Sequence, residues 1–390
     1  MERVILVAGS FTSANVNVML SVIRAIREKP EIHIIAVNYF KDKFLSSEDG
    51  VYYHPVSSLR WRITQKLQGA NRCKLLCKCI NAMIYYTFRI IDNFIPNGLE
   101  REMFKKGCEL PNISQVYSVC DPFYTHRVAH KIADIKKLQW FPVWLDSYSN
   151  GFCKRSLLWE LSSLYYEKKI FEAAPRIFAL EPSFLGNKLI SDYTDKVRYF
   201  RIPYIRNIQV KTVNKSIIYA GLLGDANRNP YPILELFLET LSDLQDDVTF
   251  HFYVRNPYDY FDYQERSNNR IQFHSFVSRE ELQGLLSESF MLLNIGNAIS
   301  FQLPSKVIEN ISYRKPILFF YSQEKDPSFE YFNDYPDIFV QNINSVSPGD
   351  IKRFVDFVNK EHCTISYSDI ISNQVFKECT PEYVKDIFMK

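Results

Sequence analysis

Nine short apolar runs constrain this chain more than any other feature, and most are followed by a segment with helical periodicity. In the first half they are "RVILVAG", "IHIIAVNYF", "ISQVYSV" (113–119) and "QWFPVWLD" (139–146). Apolar residues at consecutive positions mean that both faces of each strand are buried, as in a parallel sheet covered by helices on each side. Between the runs, Val16, Met19, Leu20, Ile23 and Ile26 recur at the helical period, and a further helix is predicted around His126 to Lys137. The second half repeats the pattern with "KSIIYAG" (215–221), "VTFHFYV" (248–254), "IQFHSFV" (271–277), "FMLLNIG" (290–296) and "KPILFF" (315–320). Helices are predicted over Tyr231 to Leu244 and over 278–289, the latter with Ser278 as N-cap and Glu281 at the capping-box position.

Strand–helix alternation, twice over, predicts an α/β chain of two Rossmann-like doubly wound domains facing each other across a cleft. The segment "RYFRIPYIRN" (198–207) is the expected linker. The domains are accordingly 1–204 and 205–390, with a terminal helix expected to return to the first. Open α/β sheets bind ligands beyond the carboxyl ends of their strands, so the cleft is the expected site.

The bulk numbers narrow the function. With 390 residues and 46% hydrophobic composition there is ample material for two cores. A net charge of +3 and a pI near 8.2 are too mild to imply a nucleic-acid partner, and none is expected. The eight cysteines form no C-x-x-C pair, and Cys73, Cys77 and Cys79 with the seven histidines give no zinc spacing, so no metal is expected. Met1-Glu2-Arg3 leads into an apolar run too short for a secretory signal, which with scattered thiols predicts a cytoplasmic chain. The longest near-apolar stretch, Cys79 to Pro96, is interrupted by Arg89 and Asp92 and is not read as a membrane span.

Segment 59–106 stands apart. Ten basic side chains against three acidic ones leave a surplus of seven positive charges, more than the whole chain carries. Trp61, Tyr85, Tyr86 and Phe88 lie among them. Basic and aromatic residues beside apolar ones fit an anionic membrane surface, at the inner face for a cytoplasmic protein. An insertion with solvated Lys and Arg has the same composition, and both readings stand.

The stretch "QLPSKVIENISYRKPILFF" (302–320) also admits two readings. Lys306 and Glu309 can be a solvated ion pair on a surface helix, worth a few tenths of a kcal/mol, or part of a site for a nucleoside diphosphate. The order "YAGLLGDANRNPYPILELF", "VTFHFYV", "IQFHSFVSREELQGLLSESFMLLNIG", "QLPSKVIENISYRKPIL" resembles the donor-binding half of GT-B nucleotide-sugar glycosyltransferases, especially the retaining, metal-independent group that builds bacterial surface glycans. More loosely, "VYSVCDPFYTHRVAHKIA" and "WFPVWLDSYSNG" resemble the acceptor-domain segments of that family.

The resemblance implies a strand ending at Gly221, an Arg-Asn-Pro start to the next helix at Arg228, and a Pro-x-Lys-x-x-Glu turn and helix holding Ser305, Lys306 and Glu309. Pro304 would fix the turn, and Ser305 would cap a helix whose N–H groups face a diphosphate. Lys306 adds a point charge and Arg228 a planar fork for phosphate oxygens, while Glu309 accepts hydrogen bonds from ribose hydroxyls. The chain departs from the family in two places. Phe301, between Ser300 and Gln302, stands where retaining members often carry a second glutamate. The usual glycine-rich turn is replaced by "VRNP" (254–257), whose Arg255 faces either the nucleotide or solvent. There is no Asp-x-Asp, which argues against the metal-dependent single-domain transferases.

On the acceptor side, Ser10, Thr12 and Ser13 surround the first strand–helix turn, where they line the cleft or simply cap the helix. His126 reads as a base, an acceptor contact or a structural histidine. Asp146 ends a strand and is favoured over Asp121 as the acid/base or orienting group. No G-x-S-x-G elbow, P-loop or G-x-G-x-x-G is present, which disfavours hydrolase, P-loop and NAD chemistry. The resulting expectation is a glycosyltransferase moving sugar from a nucleotide-diphosphate sugar to a glycan or lipid-linked glycan, with no cofactor beyond that substrate. A GT-B-type nucleotide-sugar epimerase and a catalytically silent nucleotide-sugar-binding subunit are the alternatives.

Overall fold

A computed structural model describes residues 2–11, 14–37, 50–57, 98–120, 124–145, 157–181, 187, 189–224, 228–298 and 303–389. The chain divides into two compact units, Met1–Ile202 with Val384–Lys390, and Pro203–Tyr383.

The first unit runs β1 (Arg3–Ser10), α1 (Ala14–Ile26), β2 (Glu31–Val37), β3 (Val51–Val56), α2 (Gly98–Glu109), β4 (Ile113–Cys120), α3 (Tyr124–Lys136), β5 (Gln139–Trp144), α4 (Leu157–Ala173), β6 (Ile177–Leu180) and β7 (Val197–Phe200). Its strands form one parallel sheet in the order β3-β2-β1-β4-β5-β6-β7. Val4, Ile5, Leu6 and Val7 of β1 are all 0% exposed, so both faces of the central strand are covered. The strand order reverses between β1 and β4, and there Asn15 Nδ2 donates to Cys120 O at 3.1 Å, tying the start of α1 to the end of β4.

Two strands of this sheet lie where the sequence pattern is weakest. β3 contains Pro55, which an edge strand tolerates because only one side of it is paired. The segment expected as a linker, 198–207, begins inside β7, an edge strand whose Arg198 and Tyr199 are only partly buried. Of the basic segment 59–106, only 98–106 falls among the described residues. That part opens α2, which buries Leu99 and Met103, and its Glu100 accepts from Arg127 Nε at 2.9 Å, joining α2 to α3. Here a charge of the segment serves the fold.

The second unit runs β8 (Ser216–Ala220), α5 (Tyr231–Thr240), β9 (Thr249–Val254), α6 (Phe261–Arg266), β10 (Ile271–Ser275), α7 (Arg279–Glu288), β11 (Met291–Ile295), α8 (Ser305–Ser312), β12 (Ile317–Tyr321), α9 (Phe329–Phe332), β13 (Ile338–Asn342), α10 (Pro348–Asn359), α11 (Tyr367–Ser372) and α12 (Gln374–Lys377). Its parallel sheet has the order β10-β9-β8-β11-β12-β13. β13 extends the sheet beyond the last run read from the sequence. Phe237 of α5 stacks on Phe250 at 4.1 Å and on Phe354 of α10 at 5.6 Å, fastening one helical layer to the sheet. Ser278 caps α7 by accepting from Glu281 N at 3.2 Å.

The lysine of the "KP" pair, Lys315, has a structural place. It is 1% exposed, with Nζ donating to Ser289 O and to Thr212 Oγ1, and burial pulls its pKa down to about 8. A final helix, α13 (Pro381–Met389), contributes Phe388, which stacks on Phe178 of the first unit at 4.0 Å.

Candidate functional site

The order of the second sheet reverses between β8 and β11, the point where open α/β sheets take their ligands. Residues that follow these two strands are joined across it. Arg228, beyond the end of β8, donates through Nε to Asn297 Oδ1 at 2.8 Å, and Asn297 follows the end of β11. Gly224 N donates to Arg228 O at 3.1 Å, linking the arginine's backbone to the residues after β8. Gly224 has φ +77°, which favours glycine, and a Cβ there would meet the Tyr260 hydroxyl.

Gly221 follows β8, as the strand pattern predicts. Its N–H donates to Tyr253 O at 3.1 Å, and a Cβ would come within 2.8 Å of the Tyr219 hydroxyl. A side chain here would have to displace the Tyr219 ring, whose hydroxyl donates to Leu222 O at 2.9 Å. Arg255 is exposed just past the end of β9 and lines a recess of about 210 Å³ with Leu222, Gly224, Asn256, Asp259 and Tyr260. The recess, like Arg228, lies at the carboxyl ends of the strands.

The Lys306–Glu309 pair lies on α8, which follows β11. Lys306 Nζ stands 2.9 Å from a Glu309 carboxylate oxygen, with the lysine side chain 35% exposed and the glutamate 14%. The ion pair of the first reading of this stretch therefore exists in this structure, and a diphosphate would have to compete for it. Ser305 does not cap the helix: Pro304, extended at φ −68° and ψ 122°, holds the N-cap position and Ser305 is the first helical residue. Proline offers no side-chain acceptor, and among the described residues no side-chain cap bond is made to this helix end. Its first N–H groups keep the partial positive charge that favours anions. Glu309 also acts on Tyr313, whose hydroxyl pKa is raised first by burial and then by the carboxylate charge.

In the first unit, Ser10 is the last residue of β1, beside the β1/β4 reversal. Thr12, Ser13, Asp121 and Asp146 lie outside the described residues, as do Ser300, Phe301 and Gln302. His126 is placed in the core rather than at a surface. It is 0% exposed, its Nδ1 is 2.7 Å from Ser118 Oγ, and its ring lies 4.3 Å from that of Trp144. Trp140 Nε1 donates to the same Ser118 hydroxyl at 2.8 Å. Burial alone drives the histidine pKa down to about 3, so the imidazole is neutral at any ordinary pH. A base for an acceptor hydroxyl needs access to it, and this ring has none.

Two polar residues that the sequence reading passed over complete the β8/β11 cluster. Asn297 is 0% exposed and Asp326, beyond β12, is 3% exposed. Asp326 Oδ2 accepts from Asn297 N at 2.8 Å, and Oδ1 accepts from Ser328 N at 2.8 Å. Their only signals in the sequence are a glycine beside an asparagine, "IGN", and an Asp-Pro-Ser turn.

No family model matches the chain, and no curated protein matches it in sequence. Solved structures do match in three dimensions. HepE of Anabaena in complex with UDP superimposes with a TM-score of 0.54 at 10% identity, over 99% of this chain and 94% of that one. MnaA of S. aureus with UDP gives 0.52 at 10% identity, over 98% and 91%. MurG of Acinetobacter baumannii gives 0.51 at 10% identity, over 100% and 99%. Likeness at such low identity is one of architecture, and that architecture is the GT-B fold, two Rossmann-like units in one chain.

Proposed function

We propose that the chain is a glycosyltransferase moving a sugar from a nucleoside-diphosphate sugar to a glycan or lipid-linked glycan, in polysaccharide biosynthesis at the cytoplasmic face of a membrane. The observation that supports it most is that Arg228 follows β8 while the Lys306–Glu309 pair follows the neighbouring β11, on a helix whose end has no side-chain cap among the described residues, at the reversal of the second sheet. HepE and MnaA, which share the fold, were solved with UDP.

In this reading Lys306 turns from Glu309 to the diphosphate, Arg228 grips its oxygens, and the N–H groups of Ser305 and the next residues add their dipoles. Glu309, released, accepts from ribose hydroxyls. Arg255 and the Gly221 turn border the nucleotide. As the glycosidic bond breaks, the sugar develops oxocarbenium character and the leaving diphosphate gains charge, which these cations stabilise more than they do the bound donor. Ser10, Thr12 and Ser13 meet the acceptor, and Asp146 orients or deprotonates its hydroxyl. His126 serves the core of the first unit, against Ser118 and Trp144.

Incubating the full chain with a panel of nucleotide sugars and a lipid-linked glycan tests the reading. Acceptor-dependent release of nucleoside diphosphate is expected. Release without acceptor would replace transfer by epimerisation, and no release or binding with any donor would remove the reading.

Since Arg228, Lys306 and a helix end supply the positive charge, and the sequence has no Asp-x-Asp, activity is expected to be unchanged by EDTA. Loss restored by Mg²⁺ or Mn²⁺ would reassign the class.

Among the described residues no helix is long and apolar enough to cross a membrane. Contact with lipid would fall to segment 59–106, where each basic residue near an anionic surface contributes about 1 kcal/mol. The protein is expected to sediment with anionic vesicles at low salt and to be released as salt rises. If it remains in the supernatant with anionic vesicles at low salt, the segment is an ordinary insertion.

A further inference from the structure

We infer that Asn297 and Asp326 are positioning residues for Arg228, fixing the loop after β11 so that the arginine is held at the β8/β11 reversal in the pose that receives a diphosphate. The inference rests on the donor-site reading above and adds to it how the phosphate-binding arginine is kept in place.

Three side chains and one glycine make the device. Asn297 has its backbone N–H taken by Asp326 Oδ2 at 2.8 Å and its carbonyl oxygen taken by Gln323 Nε2 at 2.7 Å. Held at both backbone groups and 0% exposed, it cannot swing. Its remaining acceptor, Oδ1, receives Arg228 Nε at 2.8 Å. Asp326 reaches this loop only because residue 296 is glycine: a Cβ there would overlap Asp326 Oδ2. The carboxylate is anchored in turn by Ser328 N at 2.8 Å.

The electrostatics agree with the geometry. Burial pushes the Asp326 carboxyl pKa up, while the bonds from Ser328 and Asn297 and the charge of Arg228 pull it back down. An arginine and a carboxylate are thus felt by each other across one asparagine. Closing a loop with a nearly buried carboxylate is a costly choice where apolar packing would serve stability better. It makes sense where a cation must be aimed. The bond that Arg228 donates to Asn297 uses Nε, whereas a fork-like grip on phosphate oxygens uses the terminal amino groups. A guanidinium already oriented loses less side-chain freedom when the diphosphate arrives.

The test is a double-mutant cycle on the full chain, read as calorimetric affinity for UDP and for GDP, which share the diphosphate, with melting temperature followed in parallel. Arg228→Ala is expected to weaken the better-bound nucleotide by 30-fold or more. Asp326→Asn and Asn297→Ala are each expected to weaken it about 5- to 20-fold. In the Arg228→Ala background neither should cause a further loss, because there is no longer an arginine to place. A merely structural role would give losses that add to that of Arg228→Ala, and this result would overturn the inference. So would wild-type affinity in the Asp326 and Asn297 variants. If Asp326→Asn does not fold, the Asn297→Ala cycle decides alone, since that change leaves the Asp326 bond to the backbone in place. If the wild-type chain binds neither nucleotide, nor any other nucleoside diphosphate, the donor-site reading falls and takes the inference with it. If it binds and the cycle is additive, only the inference falls.

Discussion

Replacing Lys306 or Glu309 by alanine is expected to weaken nucleoside diphosphate binding by about 1.5–3 kcal/mol each, roughly 10- to 150-fold, the loss typical of a charge-assisted hydrogen bond. The two variants should differ in what they lose. In the free protein the side chains pair with each other at 2.9 Å. Lys306→Ala removes the cation and leaves the Glu309 carboxylate near the expected phosphate position, so affinity for inorganic pyrophosphate should fall as well. Glu309→Ala removes the ribose acceptor and releases Lys306 from its partner. Pyrophosphate affinity should then hold or rise slightly while nucleotide affinity falls. Stability is a separate matter. An i,i+3 pair on a helix contributes about 0.2–0.5 kcal/mol, which for a unit of this size moves Tm by about 1–2 °C. Calorimetry with both ligands and a melting curve for each variant give the answer. Wild-type nucleotide affinity in both would leave the pair as an ordinary surface contact.

Much of the architecture was legible because parallel strands buried on both faces write themselves as continuous apolar runs. β1, β4 and β5, with β8 to β12, appear within a residue or two of the runs that announce them, and β2 starts one residue before its run, whose last three residues lie outside the described ones. The strands that escaped are those for which the rule does not hold. β3 and β13 are edges, partly exposed and broken by Pro55 or by polar Gln341, and β7 is a four-residue edge with an arginine inside it. β6 is apolar throughout but only four residues long, too short to announce itself. The candidate site was legible to a lesser degree. Arg228, Lys306 and Glu309 could be picked out by residue type and order, and Gly221 by the end of its strand. What holds Arg228 could not be, because Asn297 and Asp326 lie 29 residues apart and meet only when the loops after β11 and β12 come together. Ser305 was misread for a local reason: the extended Pro304 takes the cap position one residue earlier. His126 kept three readings open because a histidine at a helix start has the same sequence whether it faces solvent or two tryptophans, and the buried ring fits the structural one. Packing decides that, and packing is not local.

That buried histidine sets the second large expectation: the first unit should lose stability steeply between about pH 6.5 and pH 3. In the folded chain burial holds the His126 pKa at about 3, against an ordinary 6.5. Above the unfolded value both states carry a neutral ring, and the stability is fully present. As pH falls below it, the unfolded chain takes up a proton that the folded one refuses, so stability declines until pH reaches the folded pKa. At about 1.36 kcal/mol per pKa unit the full displacement amounts to roughly 5 kcal/mol, comparable with the whole stability of a small domain, about 5–15 kcal/mol. His33 and His54, 2.9 Å apart across β2 and β3, are shifted the same way by burial and steepen the decline. Carboxylates, with ordinary values near 4, titrate inside this window in wild type and variant alike, so only the difference between the two proteins reports the ring. Trp61, Trp140, Trp144 and Trp159 all lie in the first unit, so tryptophan emission follows its urea unfolding without signal from the second. His126→Asn leaves an amide beside Ser118 that does not titrate. The variant should be less stable at pH 7.5, because a smaller side chain leaves space beside Trp144. Yet its stability should fall with acid less steeply than that of wild type, by about 1.4 kcal/mol per pH unit within the window. Equal slopes in the two proteins would show that the ring is protonated in the folded state and is reached by water.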